Sequence, residues 1–166
     1  MSTIEAFVAE LRHEAPLTRK MLERVPPAAF DWKPHEKSRA LGEIAAHLAN
    51  LPGLFLAPLN ADGYDRLEYA AATGTVEEIL ATFDHNVARA LEALGDLTEE
   101  QLGGPWTYRY GEKVIFEAPR IVVIRGMALN HSIHHRGQLS VYLRLLNVPV
   151  PAVYGPTADE SQAYPG

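Results

Sequence analysis

A chain of 166 residues with 47% apolar and 22% charged residues has the size and composition of a globular protein with one core, expected as a single domain over residues 1–166. A net charge of -6, with lysine and arginine scattered, argues against nucleic-acid binding, which needs a basic patch to displace phosphate counterions, and disfavours an anionic membrane surface. The lack of cysteine excludes disulfides, iron–sulfur clusters, thiolate zinc sites and a cysteine nucleophile.

Met1 to Glu14 carries charge throughout instead of an apolar signal core, and no apolar run reaches the ~18 residues of a membrane span, so a cytoplasmic location is expected. A first helix is predicted from Ser2 to Val25. Ser2 and Glu5 form a capping box, and Ile4, Phe7, Val8, Leu11, Thr18, Leu22 and Val25 share one face. Pro16 should bend it and Pro26-Pro27 end it. After a loop over 26–37, Ser38 reads as the N-cap of a second helix with the stripe Leu41, Ile44, Leu48, Leu51 and Phe55, kinked or stopped at Pro52-Gly53.

The long connection over 57–74 exceeds what antiparallel neighbours need and suits a crossover. Thr75 and Glu78 cap a third helix, striped by Val76, Ile79, Leu80, Phe83, Val87, Ala90, Leu91 and Leu94 and ended by Gly95. A short helical turn is expected at 98–101, then a small hairpin over Trp106 to Phe116 around Gly111-Glu112, too small to stand without support from the helices. The fourth helix should run from near Pro119 to about Asn147. The proline-rich tail from Val148 should wrap over the surface. Trp32, Trp106 and Tyr110 are expected to plug an end of the helical core, and Asp159-Glu160 to be a solvated part of the tail.

The chemistry lies in the histidines. His131 and His135 are four apart on the last helix, so both rings can reach one ion. Their wheel neighbours Ile121, Ile124, Ala128, Leu139, Tyr142 and Leu146 mark the core side, where imidazoles need partners and one divalent metal satisfies both. His134 can replace His135 by spacing, but lies about 100° away at the rim and ranks second. His13, beside charged residues, His35, in a proline-rich loop, and His85, on the solvent side, are set aside. His47, at the margin of the second helix's apolar face, is the best third ligand. Glu43 and Asn50 flank His47 at helical spacing and either orient its ring or reach the metal. Asn130, His134 and Gln138 are further neighbours of the ligands. Arg136 reads as solvated or capping. Val122, Leu129 and Ile133 form a second stripe, which fits either a central helix packed on two sides or a self-association surface.

The run Ala128-Leu-Asn-His131-Ser-Ile-His-His135-Arg-Gly-Gln138-Leu resembles the last-helix motif of the DinB/YfiT-like family, and Gly42-Glu-Ile-Ala-Ala-His47-Leu its second-helix motif. Asp31-Trp-Lys-Pro-His-Glu-Lys-Ser38 and Tyr154-Gly-Pro-Thr-Ala-Asp-Glu160 also look like family patterns, and the likeness spans about residues 20 to 160. The resemblance implies an all-α four-helix bundle with a long crossover after the second helix, and a metal held by His47, His131 and His135. It also implies zinc, nickel or iron as the ion, frequent homodimers, and in several relatives transfer or isomerisation with low-molecular-weight thiols. A three-histidine ion keeps an open position, as catalytic sites do, where a thiol or water can be activated for transfer or hydrolysis. With no cysteine in the chain, the thiol must come from a cosubstrate. The alternative expectation is a non-catalytic metal- or ligand-binding dimer of a stress response.

Overall fold

The computed structural model describes residues 1–66 and 74–160. Helix α1 spans Thr3–Leu22. The hydroxyl of Ser2 accepts the Glu5 N–H at 3.2 Å, and the Glu5 carboxylate accepts the Ser2 N–H at 2.7 Å. Pro16 lies inside α1 but faces solvent, where the carbonyl it leaves unbonded can be hydrated, so the helix continues through it.

Helix α2 spans Leu41–Phe55, and its start departs from the sequence reading. Ser38 is not the cap; its N–H bonds to His35 O in the preceding turn. Ala40 is the N-cap, and the Glu43 carboxylate accepts the Ala40 N–H at 2.7 Å. Pro52-Gly53 does not stop the helix either. Gly53 is needed for another reason: a Cβ there would stand 2.5 Å from Oδ1 of Asn86, whose buried amide donates to Ala49 O. Asn86 sits on helix α3, Val76–Gly95, capped by Thr75 and Glu78 as expected. The short helix α4, Glu99–Leu102, follows its own Thr98–Gln101 capping box.

Strands β2 (Pro105–Tyr110) and β3 (Lys113–Pro119) form the expected antiparallel hairpin, turning at Gly111 with φ 59°. It is not a simple hairpin, because β1 (Gly63–Asp65) from the long connection adds a parallel third strand against β2. Three residues are too few to show an alternating pattern, so nothing in the sequence marks β1. The sheet leans on the helices through Trp106, which is fully buried, donates its indole N–H to Pro58 O, and stacks on Tyr108. Trp32 packs edge-on against Tyr142. Tyr110, expected to plug, is exposed.

The last helical stretch has three parts: α5 (Arg120–Val122), a π segment (Val123–Asn130) and α6 (His131–Leu145). The wider i→i+5 winding shifts the phase of residues before it relative to an ideal wheel. Ile121, expected in the core, is exposed, and Val123 is buried instead. The second stripe is broken for the same reason: Val122 is exposed, Leu129 buried and Ile133 partly buried.

Helix α2 packs against α3 and α6, and α1 against the same two, so α2 is buried on most of its circumference. Among the described residues, no helix is long and apolar enough to cross a membrane. The tail folds back with Val150 and Pro151 buried. Asp159 is exposed, as expected of the tail, and there it pairs with Arg144 and accepts the Val150 N–H.

Arg120 ties the sheet to the helices. It is 5% exposed and donates to Leu59 O, Pro105 O and Ala61 O at 2.8–2.9 Å. Its ion pair with Asp62 adds little, because that carboxylate is fully solvated. Arg120→Met strips three carbonyls of a donor, and should cost about 3 kcal/mol in denaturant unfolding. A change within experimental error would show that water replaces the guanidinium without penalty.

Candidate metal centre

His47 projects from α2, and His131 and His135 from the first turns of α6, the helix against which α2 packs. Nε2 of His131 lies 3.4 Å from Nε2 of His47 and 2.9 Å from Nε2 of His135. One ring nitrogen from each of the three lies within 4.8 Å of the others.

The hydrogen bonds on the far side of the rings decide what these contacts mean. Nδ1 of His131 is 3.2 Å from Met127 O, and Nδ1 of His135 is 2.7 Å from Oε1 of Gln138. Both partners are oxygens that can only accept, so both Nδ1 atoms carry the proton and both Nε2 atoms are bare. Two lone pairs 2.9 Å apart repel unless a cation lies between them. Imidazole nitrogens at ~2.0–2.1 Å from a divalent ion stand about 3 Å from one another, so the donor set fits such an ion. The carbonyl partners are the usual means of fixing ring orientation and raising ligand basicity.

Burial acts in the same direction. It pushes His47 down to about 3, helped by the positive charges of Arg39, His135, His131 and Arg66. It pushes His135 down to about 4, against the opposing bond to Gln138. It lowers His131 as well, against the opposing bond to Met127. Neutral rings are the ligand form. Phe55 walls one side, with its ring centroid 6.3 Å from that of His131, and Tyr108 packs on Phe55 at 5.4 Å.

The other residues picked from the sequence fall into distinct places. Gln138 orients His135, as its spacing suggested. His134 is exposed beside the His135 ring and outside the three-nitrogen group. Glu43 is exposed, with its carboxylate committed to the start of α2. Asn50 is buried and donates to Ala46 O, and Asn130 is exposed. His13, His35 and His85 are exposed.

Arg136 is a correction: it is 3% exposed, not solvated. It pairs with Glu14 at 2.7 Å, donates to Thr18 Oγ1, and lies under the Tyr154 ring. The signal was Glu14, which falls at helical spacing within the stripe Phe7, Leu11, Thr18, Leu22; a carboxylate on an apolar face requires a buried cation. The π segment was also missed. It supplies Met127 O and ends at the first ligand.

The DinB family model matches residues 1–166. The chain belongs to the DinB family. It is 28% identical to the uncharacterized protein YjoA of Bacillus subtilis strain 168 over 133 residues, covering 77% of this chain and 80% of that one. It is 24% identical to the uncharacterized protein YrdA of the same organism over 163 residues, covering 95% and 92%. The crystal structure of the DinB-like YjoA superposes with a TM-score of 0.71 at 20% identity, over 89% of this chain and 97% of that one. A DinB-like protein from Bacillus cereus ATCC 10987 gives 0.69 at 22% identity, over 90% and 97%. The architecture, mostly helical with a small three-stranded sheet, is therefore DinB-like.

The lowered histidines set a pH dependence. Below 6.5 an unfolded His47 or His135 takes up a proton that the folded, metal-free ring refuses, so the unfolded state binds more protons and stability decreases as the pH is lowered. Their contribution is fully present above 6.5 and is lost as pH drops toward about 4 for His135 and about 3 for His47. Nitrogen-15 NMR of metal-free protein should find both rings neutral through most of that window, with the unfolding temperature falling across it. Rings that titrate near 6.5 would contradict the geometry.

Proposed function

We propose that His47, His131 and His135 hold one divalent ion, zinc in first place with nickel or iron as alternatives, and that the protein is a metal-dependent enzyme. The observation that carries this is the convergence of bare Nε2 atoms whose Nδ1 protons are bound by Met127 O and Gln138 Oε1. Held by His47, His131 and His135, such an ion would supply Lewis-acid activation of a thiol or water.

The chain's own residues do the rest. Met127 O and Gln138 keep two rings aimed inward, and Phe55 with Tyr108 gives the site an apolar wall. The reaction we favour, implied by the family resemblance, is transfer or isomerisation with a low-molecular-weight thiol, which must be a cosubstrate because the chain has no cysteine, with metal-assisted hydrolysis next. A non-catalytic metal- or ligand-binding role would call for a fourth protein ligand. Glu43, one candidate for that place, is committed to the start of α2. We further propose a cytoplasmic homodimer.

Zinc-loaded protein should accelerate thioether formation between a small thiol and an alkyl electrophile. His135→Ala should return the rate to background. Gln138→Leu should weaken zinc binding about 10–100-fold while retaining activity at saturating metal. Equal rates for wild type and His135→Ala would refute metal-dependent thiol transfer.

A further inference from the structure

Between Val123 and Asn130 the chain winds with i→i+5 spacing, a form that is rare in proteins and frequent at functional sites. Burial follows the same spacing. Val123 and Ile124 are buried, Arg125 and Gly126 are exposed, and the next fully buried residues are Ala128 and Leu129, five further on. An α-helix returns to the same face after three or four residues. Both ends of the stretch are fixed. Arg120, ahead of it, donates to the carbonyls of Leu59, Pro105 and Ala61, and Arg136, beyond it, is paired with Glu14. In the middle, Arg125 bonds Glu10 at 2.5 Å and lies over the Phe7 ring, which ties the segment to α1. The chain between these anchors takes up its extra length as a wider turn.

At His131 the wider winding changes the hydrogen bonding. In an α-helix the N–H of residue 131 would take the carbonyl of residue 127. Here the His131 N–H is bonded to Ala128 O. The Met127 carbonyl instead meets the His131 ring, 3.2 Å from Nδ1. That contact keeps the ring proton on Nδ1 and leaves Nε2 bare toward His47 and His135.

We propose that the wide winding of Val123–Asn130 is a positioning device for the metal centre: by passing the His131 N–H to Ala128 O, it gives the Met127 carbonyl to the imidazole. It thereby fixes the tautomer and the aim of the one ring that touches both others. This rests on the triad being a metal centre. Gly126 is the spare residue of the stretch. It is exposed, and a Cβ there would meet nothing within 4 Å among the described residues, so no packing depends on it. Its place in the count, not its contacts, is what the site uses, and Met127 acts through His131 by its main chain.

The test has a wild-type arm and a deletion arm. In metal-free wild-type protein, NMR couplings across hydrogen bonds should connect the His131 amide to the Ala128 carbonyl and the His131 Nδ1–H to the Met127 carbonyl. A coupling from the His131 amide to the Met127 carbonyl, or a His131 ring protonated on Nε2, would overturn the proposal whether or not any variant folds. Deletion of Gly126 should restore α winding and return the Met127 carbonyl to the His131 amide. The His131 ring should then lose its single tautomer, and zinc binding should weaken about 10–100-fold. Gly126→Ala keeps the count and should match wild type in tautomer and zinc affinity. A folded deletion variant that keeps the Nδ1–H tautomer or the wild-type zinc affinity would overturn the proposal, as would a Gly126→Ala variant as weak as the deletion. Failure of the metal reading would appear separately, as absence of zinc uptake by wild type, because the couplings are read in metal-free protein.

Discussion

Two imidazoles that both lend their Nδ1 protons to carbonyl oxygens must present bare nitrogens on the other side, and in this protein those bare nitrogens point at one another. His131 is tied to Met127 O and His135 to Gln138, and their Nε2 atoms stand 2.9 Å apart. Such an arrangement is favourable only around a positive charge. Much of the fold serves to hold it. Helix α2 is enclosed by α3, α6 and the loop before it, so His47 has little freedom to swing away. On the other face of α6, the Arg136–Glu14 pair locks the helix against α1, and Tyr154 of the tail covers that pair and bonds Glu14. A buried ion pair of this kind contributes little net stability, but it penalises any rotation of α6 that would separate the charges.

Electrostatics then separates the site from the rest of the molecule. The chain is acidic overall, whereas the charges acting on the triad among the described residues are arginines and neighbouring histidines, which favour neutral rings in the same direction as burial. Neutral imidazole with no carboxylate ligand leaves an ion its full charge, which suits Lewis-acid work better than tight structural closure. Arg120 plays the comparable mechanical part at the sheet. One buried guanidinium satisfies carbonyls from the long connection and from β2, and so fixes the wall on which Tyr108 lies.

The parts of this arrangement that the sequence announces are those governed by local periodicity. The stripes of α1, α2 and α3, the capping boxes at Ser2 and Thr75, the short turn at 98–101, and the shared face of His131 and His135 all follow from 3.6-residue spacing and cap chemistry. What escaped depends on contacts distant in sequence or on departures from ideal winding. The π segment carries no compositional mark, and it moves Ile121 out of the core and Leu129 into it. Arg136 looked solvated because its wheel position faces away from the histidines; the second core it enters is made by Glu14 and Thr18, more than a hundred residues earlier. Strand β1 exists only because β2 offers it an edge. Ser38 fitted the cap preference, but the chain turns again before α2 and leaves the task to Glu43.

The central claim is that the three histidines form a metal centre, and elemental analysis of untagged protein purified without added metal tests it most directly, with His131→Ala in parallel because that ring touches both others. A stoichiometric divalent ion in the wild type that is lost from the variant, with both proteins folded, is the predicted result. A wild-type protein that carries no such ion and takes up none on titration with zinc, nickel or iron would contradict it.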